Sequence, residues 1–95
     1  AGGTEVAYCA KGLNHFTIRQ LLQPLEQMAR LCGMTYLPAF ALFGARTAVE
    51  EGRIAQHVDD WVELLTALRD GRFDVDRAQT LPRLDTHLQT LIEEN

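Results

Sequence analysis

The sequence predicts an α/β chain holding one part of a parallel sheet, with the neighbouring strands not included. Three observations lead there. Residues 34–43 are apolar nearly throughout, as a strand covered on both faces is. This stretch lies between two helices with apolar stripes. Nothing else in the 95 residues reads as a second strand, although backbone N–H and C=O groups in a core need partners. Helices packed on an apolar strand imply parallel pairing, and parallel strands arrive with other βα units. The partner strands are therefore expected in sequence outside these residues or in another copy of the chain.

Each element can be justified in turn. Gly2-Gly3 open a polar stretch that runs to about Asn14-His15. Thr17 then reads as the N-cap of a first helix, in which Leu21, Leu25, Met28, Ala29 and Cys32 share one face. Pro24 removes a backbone donor inside that span, so the helix is expected to kink there or to become regular only from there. Gly33 follows at the position that needs a left-handed residue. The strand 34–43 comes next, interrupted at Pro38 and ended by Gly44.

Thr47-Ala48-Val49-Glu50 reads as a capping box opening a second helix. Ile54, Val58, Trp61, Leu65 and Leu68 repeat along it at steps of four and three, a stripe expected to pack on the sheet. Arg69 suits the negative C-terminus of that helix and Gly71 closes it. A last helix is expected from about Pro82, a residue at home in the first turn, through Leu84, Leu88, Leu91 and Ile92.

Composition narrows the classes of function. The chain is 46% hydrophobic and 23% charged, with a net charge of −4 and its nine basic residues scattered among thirteen acidic ones. That balance argues against nucleic acid as the main partner, which usually calls for a basic patch. No apolar run is long enough to span a bilayer and no signal-peptide charge pattern is present, so a cytoplasmic chain is expected. Cys9 and Cys32 lack a metal-site spacing and read as reduced thiols, Cys32 in the core. His57, His87 and the pair Asp59-Asp60 read as solvated helix surface, and no metal site is predicted.

An ordered series of residues carries a resemblance. Gly2-Gly3, Tyr8, Gly12-Leu13-Asn14-His15 and Leu22-Gln23-Pro24-Leu25 are followed by Leu31-Cys32-Gly33-Met34 and Tyr36-Leu37-Pro38-Ala39-Phe40. Together they resemble the flavodoxin-like NAD(P)H:quinone oxidoreductases, and within them the ancillary proteins of glutathione-regulated potassium-efflux systems. Leu68-Arg69-Asp70-Gly71-Arg72-Phe73 fits that subgroup as well. The resemblance implies the C-terminal half of a flavodoxin-like, doubly wound parallel sheet: one strand, two main helices and an extra C-terminal helix. Residues 1–73 would belong to that domain and 74–95 to a helical extension.

The resemblance also implies a site. Gly2, Gly3 and Thr4 match a turn that delivers backbone amides to the edge of a flavin ring, where the absence of Cβ lets the backbone approach. Tyr8 matches an aromatic residue at the active-site mouth. Asn14 falls where several relatives carry a His thought to assist hydride transfer, and Asn cannot exchange protons at neutral pH. Tyr8 and Asn14 are thus the candidate catalytic residues, and Gly2, Gly3, Thr4 and Tyr8 the candidate cofactor contacts. The implied parent binds FMN or FAD, takes hydride from NAD(P)H and passes it to a quinone or similar electrophile. Its phosphate loop and its aromatic loop have no counterpart here, so this chain alone is expected to bind flavin weakly. A homo-oligomer is implied, as is docking on a potassium-efflux antiporter at the inner face of the cell membrane. The competing reading is a small helical protein-interaction module without flavin or catalysis.

Overall fold

The computed structural model describes residues 1–93. After a single 3-10 turn at Glu5–Ala7 come five helices: α1 (Ile18–Leu21), α2 (Gln23–Leu31), α3 (Arg53–Arg69), α4 (Val75–Ala78) and α5 (Leu88–Leu91). The first of these starts as its sequence predicts. Thr17 accepts from the Gln20 N–H while the Gln20 side chain accepts from the Thr17 N–H, a complete capping box. The expected break is also present: α1 stops at Leu21, and α2 begins with Pro24 in its first turn, where the missing donor costs nothing.

Two helices end in the same way. The Gly33 N–H donates to the Arg30 carbonyl and the Met34 N–H to that of Ala29; Gly71 and Arg72 do likewise with Leu68 and Ala67. Both glycines have φ near 70° (71° and 69°), the left-handed turn that returns orphan carbonyls to partners.

The predicted strand is not one in this chain. Residues 34–43 lie in no strand, and among the described residues the sole β-bridge is the antiparallel pair Phe73–Ile92. The physical reason is the one that made the sequence look incomplete: a strand is defined by its ladder, and nothing here supplies one. Side chains and loops occupy its polar groups instead. Arg53 donates to the carbonyls of Phe43 and Gly44, at 2.6 and 2.9 Å. Asp85 accepts from the Ala41 N–H at 3.1 Å, and the Ala39 carbonyl accepts from the Leu84 N–H at 2.8 Å.

The second helix departs from expectation in its start and in its facing. Residues 45–52 form turns, with Gly52 left-handed at φ 69°, and α3 begins at Arg53. The box at Thr47–Glu50 does not form, because a left-handed residue between box and helix interrupts the ladder. Thr47 instead donates to Glu51 at 3.0 Å. The stripe Ile54, Val58, Trp61, Leu65 and Leu68, expected to be core, is turned to solvent, with Trp61 43% and Leu65 45% exposed. Leu64 and Ala67 are buried in its place, Leu64 at 1%. Consecutive helical residues differ by about 100° around the axis, so burying Leu64 leaves Leu65 outside. Phe40 reaches the stripe at Trp61, with ring centroids 5.4 Å apart, and no described helix covers the rest of it. Cys32 is exposed rather than core for the same reason, together with Leu21, Leu25, Met28 and Leu31 on α1 and α2.

The third correction concerns the tail. No helix starts at Pro82; residues 79–87 are irregular between α4, capped by Asp74, and α5, which is preceded by left-handed His87 at φ 58°. The Leu84 N–H, which a helix would have used, is committed to Ala39. Yet this tail builds the core. Phe73, Ala78, Leu84, Leu88 and Leu91 pack with Leu64 and Ala67, flanked by Leu37 and Phe40 of the extended segment.

Arg19 ties α1 to the tail by donating to the carbonyl of Gln79 at 2.7 Å and also to that of Leu81. It also pairs with Glu26 at 3.2 Å. Hydrogen bonds from Arg19 and then Arg30 hold the Glu26 carboxyl below its ordinary value of 4.5. The molecule measures 37 × 34 × 19 Å. Its thin dimension is about that of two packed helices, leaving no room for a third layer.

Candidate functional site

The N-terminal stretch 1–15 is folded back on itself by its own backbone. The Ala7 N–H donates to the Thr4 carbonyl at 3.0 Å, and the Asn14 N–H closes the loop on the Ala7 carbonyl at 2.9 Å. Gly12 makes that closure sterically feasible. A Cβ there would lie 2.3 Å from the Val6 carbonyl oxygen and 2.6 Å from that of Ala7, contacts no side chain tolerates.

Three of the predicted residues meet as a result. The Gly3 N–H donates to the Tyr8 hydroxyl at 3.3 Å. A Cβ on Gly3 would stand 3.1 Å from the Tyr8 ring and 3.4 Å from the Asn14 amide nitrogen. Gly3, Tyr8 and Asn14 therefore share one small space, and glycine is the residue that leaves room for it. Gly2 and Thr4 flank this cluster and are exposed; a Cβ on Gly2 would meet nothing within 4 Å.

The stretch is held at the carboxyl end of the extended segment. Ala1 donates to the Leu42 carbonyl at 2.6 Å, Gly44 donates to Gly3 at 2.8 Å, and Ala45 donates to Ala1 at 3.1 Å. The rings of Tyr8 and Phe43 pack at 5.3 Å between centroids, tilted by 51°. Beside them opens a cleft of about 360 Å³, largely apolar, walled by Val6, Tyr8, Ile18, Phe43, Pro82 and Arg83.

Arg83 and Phe43 did not stand out in the sequence as site residues. Arg83 lies 78 positions from Glu5, with which it pairs at 3.0 Å, and its guanidinium stacks 4.6 Å over the Phe43 ring. No local periodicity encodes such a meeting. His57, expected on solvated surface, is half-buried with its ring 4.3 Å from that of Phe40.

Residues 1–65 match the family described as having a flavodoxin-like fold. The chain is a member of that family. It is similar to an uncharacterized NAD(P)H oxidoreductase, YdeQ, of Bacillus subtilis (strain 168), 40% identical over 65 residues that cover 68% of this chain and 32% of the relative. It is also similar to general stress protein 14 of the same organism, 38% identical over 50 residues that cover 53% of this chain and 29% of that protein. The chain thus spans about a third of the length of these curated relatives and is related to flavodoxin-like NAD(P)H oxidoreductases. No solved structure matches it. Among the described residues no helix is long and apolar enough to cross a membrane.

Proposed function

We propose that these residues form the ring-edge part of a flavin site in an NAD(P)H:quinone oxidoreductase. The observation that carries the reading is the Gly3–Tyr8–Asn14 cluster at the carboxyl end of the extended segment. The residues present fit one edge of a flavin: two glycines offer backbone amides where no Cβ intervenes, an exposed Thr offers a third, and a Tyr hydroxyl already engages one of those amides. They offer nothing for a phosphate, so the rest of FMN or FAD would be held by sequence of the kind that the longer relatives have beyond the matched third.

A bound flavin supplies the reversible acceptance of hydride from NAD(P)H and its delivery to a quinone-like acceptor. The chain's own residues bind and orient. Amides of Gly2 and Thr4 are the donors toward the ring edge, that of Gly3 joins them where the ring takes the place of the Tyr8 hydroxyl as its acceptor, and the Tyr8 hydroxyl serves as donor or acceptor at the mouth. Asn14 lends a carboxamide that can hydrogen-bond but not carry a proton, so any proton needed at that point comes from elsewhere. The apolar cleft beside Tyr8 and Phe43 suits a flat acceptor from which water is excluded.

The solvent-facing stripe on α3 supports association with further protein, either other parts of the same domain or a second copy in a homo-oligomer. Docking of a cytoplasmic protein on a potassium-efflux antiporter, at the inner face of the cell membrane, rests on the likeness of the ordered motifs, residues 68–73 among them, to that subgroup. The test uses the longer polypeptide that carries this segment. It should bind flavin, seen as a visible absorbance band, and oxidise NAD(P)H with a quinone. Gly3→Val, which fills the cluster, should release the flavin while Leu13→Ala, at an exposed position, should not. A colourless protein, or one whose flavin is indifferent to Gly3→Val, would leave the interaction-module reading standing.

A further inference from the structure

The tail beyond residue 65 lies outside the family match, yet it reaches the candidate site. In an extended segment the N–H and C=O of one residue point to the same edge, and successive residues alternate edges. Ala39 and Ala41 therefore face one edge and Leu42 the other, with Gly44 turning left-handed just beyond it at φ 57°. The N-terminal stretch bonds the second edge through Ala1 to Leu42, and the turn beyond it through Gly3 to Gly44. The tail bonds the first, through Leu84 to Ala39 and Asp85 to Ala41.

Between those two anchored residues and Pro82 sits Arg83, its side chain 14% exposed. Its guanidinium covers Phe43, pairs with Glu5 at 3.0 Å and lies 3.6 Å from Asp85. Glu5 opens the 3-10 turn that leads directly into Tyr8. One side chain thus contacts both the turn that presents Tyr8 and the aromatic ring on which Tyr8 packs.

We propose that Arg83 is a positioning residue, and that the tail segment Pro82–Asp85 is a strap that fixes the Tyr8–Gly3–Asn14 cluster in place. Arg83 acts through Glu5 and Phe43. Without it the 3-10 turn keeps the main-chain bonds of residues 1–3 with 42–45, the burial of Ala7 and the packing of Tyr8 on Phe43, but loses its side-chain tie to the tail. The proposal does not depend on flavin, and it assigns a function in the site to residues that the family match leaves out.

Amide hydrogen exchange and ring contacts in the 95-residue chain test it by nuclear magnetic resonance. Glu5→Gln, at an exposed position, removes the charge pair without touching the core. It should speed exchange of the Gly3 and Asn14 amides by about two- to fivefold and weaken the Tyr8–Phe43 ring contact, given the modest worth of one partly shielded ion pair. Arg83→Met should do more, by also removing the cation over Phe43, and Arg83→Lys should recover part of the loss. The amides of Leu64 and Leu91 should hold their wild-type rates in Glu5→Gln. Unchanged Gly3 and Asn14 exchange in Glu5→Gln, or equal acceleration at Leu64 and Leu91 in that variant, overturns the proposal.

Discussion

Residues 1–69 and the tail beyond α3 divide the apolar side chains of this molecule in opposite ways. The first region carries the family pattern and two amphipathic helical stretches, yet α1 and α2 bury no residue and the expected stripe on α3 faces water. The tail has only two one-turn helices, yet it provides five of the seven residues in the main core cluster. Amphipathic patterning therefore states that a face is meant to be covered; it does not state by what. In the family region the covering layer is not among the described residues. In the tail the apolar residues are spaced irregularly and are buried because the chain brings them beneath α3.

The contrast can be broken most directly at two adjacent residues. Leu64→Ala should cost about 2–5 kcal/mol, as large-to-small changes in a packed core do, and Leu91→Ala should match it. Leu65→Ala, one residue along the same helix, should change stability by no more than about 0.5 kcal/mol in this chain. Denaturant titration of the three variants measures both. Equal losses at Leu64 and Leu65 would mean that the stripe is covered after all.

A second comparison sets the site loop against the helix ends. Gly12→Ala drives a methyl into two carbonyl oxygens and should cost about 1–3 kcal/mol, with loss of protection at the Asn14 amide. Thr17→Ala removes a formed capping box and should cost about 1 kcal/mol. Thr47→Ala and Glu50→Ala, from the box that does not form, should each stay within about 0.5 kcal/mol in thermal melts.

The smallest expected effect is in acid. Hydrogen bonds from Arg19 and Arg30 lower the folded-state pKa of Glu26 below 4.5, so its contribution is complete above that value and is lost as pH falls through the lowered one. The same sign holds for Glu51 beside Arg53 and for Asp70 beside Arg69. Stability should thus decline on acidification below about pH 4.5, and Glu26→Gln should flatten part of that slope in melts taken across the range. An unchanged slope would mean that the pairs of Glu26 with Arg19 and Arg30 contribute nothing to stability.

Much of the local structure was legible in the residues themselves. Thr17 as a cap, Pro24 as a break, and Gly33 and Gly71 as left-handed helix ends follow from side-chain chemistry within a few positions. The family could be read from an ordered series of short motifs, and Gly3, Tyr8 and Asn14, picked out by that resemblance, do come together in space. Phe43, Glu5 and Arg83 were not legible as neighbours, since their meeting depends on where the tail crosses the extended segment. Nor could the second capping box be rejected from sequence, because its failure lies in Gly52, two residues after Glu50, adopting a left-handed conformation.

By itself, then, the sequence determined where the chain bends, that helices follow Thr17 and end at Gly33 and Gly71, and that residues 34–43 require a partner, because caps, breakers and backbone hydrogen-bonding needs act over short distances. Only the tertiary structure decided which face of α3 is buried, that the tail supplies the core, and that Arg83 stands beside Tyr8. Burial depends on what lies opposite an apolar face, and that is set by parts of the chain tens of residues away.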